Sequence, residues 1–188
     1  MQTNTKYFLK SGPVNTAETV TLALARAAEL QLKHLVVASN SGASVQLCLA
    51  RGFDVVWVTH HVGFVAAGED EAEPEVRASL TAQGVKILTT THLMAGIDRA
   101  LRLKAGGIYP AEIVAHTLRM FGQGVKVAVE CSVMALDAGL IPYGTPIMAL
   151  GGSGRGLDSA LVLRPHHSSQ FFETKIMEIC CKPHFALT

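Results

Sequence analysis

Four short apolar runs, at residues 34–38, 54–59, 85–90 and 125–129, end in small polar clusters and are separated by stretches with helical spacing or helix-start signals. That alternation restricts the fold severely. A strand that is apolar throughout must be covered on both faces, and helices between successive strands supply the cover, so the chain requires a largely parallel sheet with helices on both sides. Residues 146–150 and 159–163 read as the last core strands, and residues 174–182 as a further strand at an edge.

The intervening helices carry their own signals. Asn15 with Glu18 three residues later has the spacing of a capping box, with Asn in place of the usual Ser or Thr. The helix that follows runs to about residue 31 with Val20, Leu24, Ala27 and Leu30 on one stripe. Residues 45–50 form a short helix with Gly52 near its C-cap. Pro74 opens a helix that ends near Gly84, residues 94–104 form another, and Pro110 starts a third with Ile113, Val114, Leu118 and Phe121 as its apolar face. That third helix ends at Gly122 or Gly124, and residues 132–138 form the last one. No repeat and no linker divides the 188 residues, so the reading is one domain over residues 1–188.

Hydrophobic residues make up 49% of the chain and charged residues 16%, which permits a large core and a buried interface in a homo-oligomer. With 16 basic and 15 acidic residues and no basic tail, nucleic acid is not an expected partner. No apolar stretch approaches the ~20 residues that span a bilayer. The N-terminus lacks the apolar run of a signal peptide, so no membrane association and a cytoplasmic location are expected. Cys48, Cys131, Cys180 and Cys181 form no CxxC pair and read as buried reduced thiols.

Ligands of open α/β sheets bind outside the carboxyl ends of the strands. The polar groups there are Ser39-Asn40-Ser41, Thr59-His60-His61, Thr89-Thr90-Thr91-His92 and Glu130-Cys131-Ser132. Within Ser39-Asn40-Ser41-Gly42-Ala43-Ser44, strand passes through a small polar loop into helix. Backbone N–H groups, the helix dipole and the hydroxyls of Ser39, Ser41 and Ser44 then suit a phosphate. Helix capping alone also explains Ser41 and Ser44, and close packing explains Gly42. A second loop, Gly151-Gly152-Ser153-Gly154-Arg155-Gly156, adds a guanidinium with bidentate reach to phosphate. Its competing reading is a glycine-rich turn between two strands.

Familiar nucleotide motifs fail. The loop at 151–156 lacks the third glycine of GxGxxG, no Lys-Ser or Lys-Thr follows it, and Arg155 breaks a GxSxG elbow. Adjacent His60-His61 and His166-His167 point to opposite faces of an extended chain, and no HExxH occurs, so no metal is expected. His60 and His92 are the better candidates for ligand contact or proton transfer. Glu130 and Asp158 read as isolated carboxylates, suited equally to binding backbone N–H groups.

These residues resemble a known family. The Ser39–Ser44 loop, the Gly151–Gly156 loop, Gly106-Gly107-Ile108-Tyr109-Pro110-Ala111-Glu112, residues 121–127, Ala135-Leu136-Asp137-Ala138-Gly139, residues 154–160 and Arg164-Pro165 together are similar to the C-terminal domain of pyruvate kinase. They are closer still to the stand-alone proteins that resemble that domain, from about Lys10 to Pro183. The resemblance implies a three-layer α/β/α sandwich with a five-stranded mixed, mostly parallel sheet. It implies no pyruvate kinase activity, because the catalytic residues of that enzyme lie in a separate barrel. It also implies flavin mononucleotide as the ligand. Ser39, Asn40, Ser41, Gly42, Ser44, Gly151, Gly152, Ser153, Gly154 and Arg155 would hold its phosphate, and Thr59, His60, Thr90 and His92 would line the remainder. His167-Ser168-Ser169 departs from the family's pattern.

The function expected is therefore that of a binding or regulatory module for a phosphate-bearing small molecule. The alternatives are an enzyme and an assembly protein whose apolar content serves association. The enzyme would be a flavin-dependent oxidoreductase or one acting on a phosphorylated metabolite, with His60 or His92 carrying protons.

Overall fold

The computed structural model describes residues 3–49 and 52–185. Seven strands form one sheet: β1 (Lys6–Phe8), β2 (His34–Ala38), β3 (Asp54–Val58), β4 (Lys86–Leu88), β5 (Ile147–Gly151), β6 (Ser159–Arg164) and β7 (Lys175–Pro183), in the order β1-β7-β6-β5-β2-β3-β4. β5, β2, β3 and β4 run parallel, β6 runs antiparallel to both of its neighbours, and β1 pairs parallel with β7. Six α-helices accompany them: α1 (Thr16–Glu29), α2 (Ala43–Leu47), α3 (Pro74–Ala82), α4 (Gly96–Ala105), α5 (Pro110–Arg119) and α6 (Gln123–Asp137).

Strand alternation sorts the core into two layers. Leu35, Val37, Val55, Trp57, Met148 and Leu150 face α1, α2 and α3, where Val20, Ala23, Ala27, Val45 and Leu80 meet them. Val36, Val56, Val58, Ile147, Ala149 and Leu161 face α6, where Val125, Ala128, Val129 and Ala135 complete the opposite layer. The three-layer α/β/α architecture is thus present, with seven strands instead of five. The additional pair comes from the chain ends. β1 lies outside β7, so residues 175–183 do not form the edge. A three-residue strand shows too little alternation to be recognised alone. The helix expected over residues 45–50 is α2, and its last residue, Ala50, lies outside the described residues.

Residues 125–129 are not a strand. They belong to α6, which absorbs the helix expected at 132–138 into one element over residues 123–137. The apolar run reads equally as a buried strand or a buried helix, and packing decides. Gly124, Ala128, Ser132 and Ala135 recur at helical spacing and are all buried. Small side chains there let the helix axis approach the sheet closely. The sheet covers one side of α6 and α5 packs on another, so nearly every α6 residue is buried. Glu130-Cys131-Ser132 therefore sit in mid-helix, not after a strand, and the Ser132 hydroxyl donates to the Ala128 carbonyl at 2.7 Å.

The capping box at Asn15 does not form either. Asn15 has helical backbone angles (φ −93°, ψ −5°), because a 3-10 turn over Pro13–Asn15 runs straight into α1. Its amide donates to the carbonyls of Lys10 at 2.7 Å and Gly12 at 3.3 Å, while Glu18 pairs with Lys6 at 3.0 Å. Buried Asp158 ties this entry to the glycine loop: its Oδ2 accepts from the Gly12 N–H at 2.9 Å, and Thr16 Oγ1 accepts from the Leu157 N–H at 3.0 Å.

All four cysteines are free and buried, and burial pushes the Cys48 and Cys180 thiols up to about 12 and Cys181 to about 11. Among the described residues no helix is long and apolar enough to cross a membrane.

Candidate functional site

A cleft of about 630 Å³ opens at the carboxyl ends of β2, β3 and β5. Its floor is made by residues that leave those strands: Ser39 and Asn40 after β2, Thr59 and His60 after β3, and Gly152, Gly154 and Arg155 after β5. The opposite wall comes from helices. α4 contributes Arg99 and Arg102; α5 contributes Glu112, His116 and Arg119; α6 contributes Gln123, Lys126 and Glu130. Phe64 and His92 close the remaining side from the loops after β3 and β4.

Five cations and two carboxylates line this cleft. Both carboxylates are already paired. Arg102 Nε donates to Glu112 Oε1 at 2.5 Å, and the Lys126 ammonium pairs with Glu130 Oε2 one helical turn away. Among the described residues, Arg99, Arg119 and Arg155 have no carboxylate partner. Arg119 Nε donates to Gln123 Oε1 at 2.6 Å, and Arg99 lies over the Phe64 ring at 5.4 Å. Lys126 is 6% exposed and Glu130 2%, so their ion pair is buried at the back of the cleft. Glu130 Oε1 also accepts from the Met94 N–H at 2.7 Å. Glu112 Oε2 is buried without a hydrogen-bond partner, which leaves an acceptor in this wall awaiting a donor.

His60 and His92 sit on the other wall. His60 stacks on Phe64 with centroids 3.8 Å apart, and His92 lies 5.5 Å from His60, centroid to centroid. His60 Nδ1 pairs with Glu71 Oε2, and Asn40 Nδ2 donates to Glu71 Oε1 at 2.8 Å. Burial raises the Glu71 carboxyl, but hydrogen bonds from Asn40 and His60 outweigh it and hold the group below the usual carboxylate range. Burial lowers the His92 imidazole against the opposing Glu130 charge, and His92 Nε2 lies 3.2 Å from the Thr59 carbonyl that accepts its proton. Cys131 reaches the cleft, but burial raises its thiol far above the ordinary range, which makes it a poor nucleophile.

The depressed Glu71 pKa makes a prediction about stability. A group held below its unfolded value contributes above that value and loses its contribution as pH falls through the folded value. The stability advantage of the natural chain over Glu71→Gln should therefore be constant above roughly pH 5 and shrink below roughly pH 4. Urea midpoints of both proteins measured from pH 3 to 7 check this.

Of the residues expected at a phosphate site, the structure brings Ser39, Asn40, Thr59, His60, His92, Gly152, Gly154 and Arg155 to the cleft. Ser41, Gly42, Ser44, Thr90, Gly151 and Ser153 do not line it. Gly42 has φ +82°, and a Cβ there would lie 2.9 Å from both Trp57 and Val76, so this residue packs into the α3 layer. Its N–H is taken by Ser39 Oγ at 3.0 Å. Ser44 is buried in α2. Thr90 is exposed beyond β4, and Gly151 lies beneath α6. The loop at 152–156 joins the antiparallel strands β5 and β6, with the Asp158 N–H donating to the Gly151 carbonyl at 3.1 Å. A Cβ on Gly152 would lie 2.0 Å from the Gly156 carbonyl oxygen, so contact inside the turn accounts for that glycine.

Apart from Glu130 and Cys131, the helical wall escaped sequence reasoning, although part of it was legible. Glu112, His116, Arg119 and Gln123 recur at spacings of four, three and four, a polar stripe along α5 and its exit. Glu71 had no such signal, because only the folded loop carries it to His60.

The family described as "Pyruvate kinase, alpha/beta domain" matches residues 17–163, which span β2 to β6 and every element around the cleft. Among the solved structures similar to the chain are two of pyruvate kinases. One is a pyruvate kinase from Cryptosporidium parvum, at 16% identity with a TM-score of 0.43, covering 79% of this chain and 22% of that one. The other is a pyruvate kinase structure from the same organism, at 15% identity with a TM-score of 0.38, covering 76% and 22%. The chain thus spans about a fifth of the length of these enzymes. With the family match extending over well more than half its residues, the chain belongs to the pyruvate kinase alpha/beta domain family.

Proposed function

We propose that the cleft binds a small phosphate-bearing ligand, with flavin mononucleotide the first candidate. One observation carries the reading: among the described residues, Arg99, Arg119 and Arg155 line one cleft at the strand ends without forming an ion pair, while both acidic residues that line it are paired with other cations. A guanidinium meets phosphate with two parallel hydrogen bonds, so an unpaired set of three is a site for polyanionic oxygen. The volume suits a mononucleotide-sized molecule.

The residues present fit flavin mononucleotide. Arg155 and its neighbours in the turn would hold the phosphate, Glu112 Oε2 would accept from a ribityl hydroxyl, and the Phe64–His60 stack offers a flat apolar face to the ring system. Bound flavin would supply electron-transfer chemistry. The residues described here bind and orient it.

Titration calorimetry with flavin mononucleotide and with inorganic phosphate tests the proposal, together with the visible absorbance of freshly purified protein. Binding is expected to weaken as salt rises. Arg155→Glu should weaken it by about tenfold or more, because a carboxylate then faces the phosphate. Protein that carries no ligand and binds neither flavin mononucleotide nor any sugar phosphate overturns the reading.

A further inference from the structure

The cleft contains an arrangement that phosphate binding does not require. His60 Nδ1 is engaged by Glu71, and Glu71 is engaged through its second oxygen by Asn40 at 2.8 Å. A carboxylate on Nδ1 selects the tautomer with its proton there and leaves the Nε2 lone pair as the acceptor. Among the described residues nothing in the protein occupies His60 Nε2, and the ring lines the cleft. Stacking on Phe64 fixes its plane. This is the construction of an oriented base: nucleophile-free, with a carboxylate behind the imidazole and an amide behind the carboxylate.

Among the described residues no hydroxyl or thiol hydrogen-bonds to His60 Nε2. Thr59 Oγ1, the nearest hydroxyl in sequence, donates to the His60 carbonyl at 2.7 Å and sits 2.7 Å from the Thr89 hydroxyl. The Cys131 thiol is held protonated by burial. The proton therefore comes from the ligand. At the back of the same cleft Lys126 is buried, with one acceptor, Glu130, for its three N–H groups. An ammonium with donors to spare is where negative charge on a ligand oxygen is stabilised.

We propose that His60 is a general base that removes a proton from the carbon next to a carbonyl in a phosphorylated hydroxy-ketone or hydroxy-aldehyde, with Glu71 and Asn40 as positioning residues and Lys126 facing the enolate oxygen. This rests on the reading of the cleft as a phosphate site. The C–H electron pair becomes the new C=C bond, the carbonyl π pair moves onto oxygen beside Lys126, and the proton resides on His60 Nε2. Return of the proton to the carbon it left restores the carbonyl and the neutral imidazole. No oxidant, reductant or second substrate takes part.

The test is deuterium wash-in. The full chain in D₂O is incubated with dihydroxyacetone phosphate, ribulose 5-phosphate and fructose 6-phosphate, and loss of the α C–H signal is followed by NMR. Binding of each compound and of flavin mononucleotide is measured in parallel by calorimetry. At least one sugar phosphate is expected to bind and to exchange above the buffer rate. His60→Gln should reduce exchange to the buffer rate. Glu71→Gln should bind within about threefold of the natural chain and exchange at least about tenfold more slowly. A sugar phosphate that binds without exchange overturns the inference, as does exchange that Glu71→Gln leaves unchanged in rate. Binding of flavin mononucleotide alone also overturns it but leaves the phosphate site standing. Failure of every compound to bind overturns both.

Discussion

Glu130→Ala is expected to lower the unfolding free energy by about 3–5 kcal/mol, the largest effect of any single substitution in the cleft. The cost arises from what stays behind. Lys126 is 6% exposed, and Glu130 is its only ion-pair partner among the described residues. Removal of the carboxylate strands an ammonium in a protein interior and also orphans the Met94 N–H, which donates to Glu130 Oε1 at 2.7 Å. Glu130→Gln keeps an acceptor for one of the two donors and should cost less than the alanine variant. The double variant Lys126→Met with Glu130→Leu should recover most of the loss, because an apolar pair of similar size has no charge to desolvate. Thermal and urea denaturation of the three variants checks the ordering. For a chain of this length the alanine variant should melt roughly 10 °C lower. Phosphate should raise the melting temperature of Glu130→Ala more than that of the natural chain, since the ligand then supplies the missing negative charge.

Gly151→Ala should cost about 3 kcal/mol, because the methyl group has no space to enter. Its carbon would lie 2.2 Å from the Gly124 carbonyl oxygen and 2.9 Å from the Ala128 nitrogen, both in the backbone of α6. Backbone cannot rotate away as a side chain can, so the helix must lift from the end of β5. Gly154→Ala provides the contrast within the same loop. Its φ is +80° and a Cβ there meets nothing within 4 Å, so only the left-handed backbone penalty of about 1–2 kcal/mol applies. Urea denaturation separates the two. Lifting α6 also displaces Lys126 and Glu130, so Gly151→Ala should weaken phosphate binding beyond its effect on stability.

Glu130 lies on α6 and Gly151 packs beneath it, so both substitutions act on the element that sequence reading assigned least well. Val125, Val127 and Val129 alternate with Lys126 and Ala128 in a way that satisfies a strand, and the same residues satisfy a buried helix. Contact with β5 through Gly124 and Ala128 selects the helix, and that contact is a property of the assembled sheet. β2 shows the opposite case. His34–Ala38 is apolar, short and bounded by polar loops, so local pattern and final structure agree residue for residue. The floor of the cleft was legible for a related reason, since ligand-facing residues of a parallel sheet follow directly after its strands. Four of the six residues of the Ser39–Ser44 loop nevertheless lie outside the cleft lining, because Gly42 seats against Trp57, 15 positions further along the chain.

The sequence by itself determined the alternation of strand and helix, the parallel core of β2 and β3, and the polar cleft floor at their carboxyl ends, because those depend on periodicity and on short-range chemistry. The tertiary structure alone decided that residues 123–137 are one buried helix, that seven strands share the sheet, and that Arg99, Arg119, Lys126 and Arg155 face one cleft with Glu71 behind His60. Those features join residues as far as 175 positions apart, and burial of apolar surface brings them together without leaving a local trace in the chain.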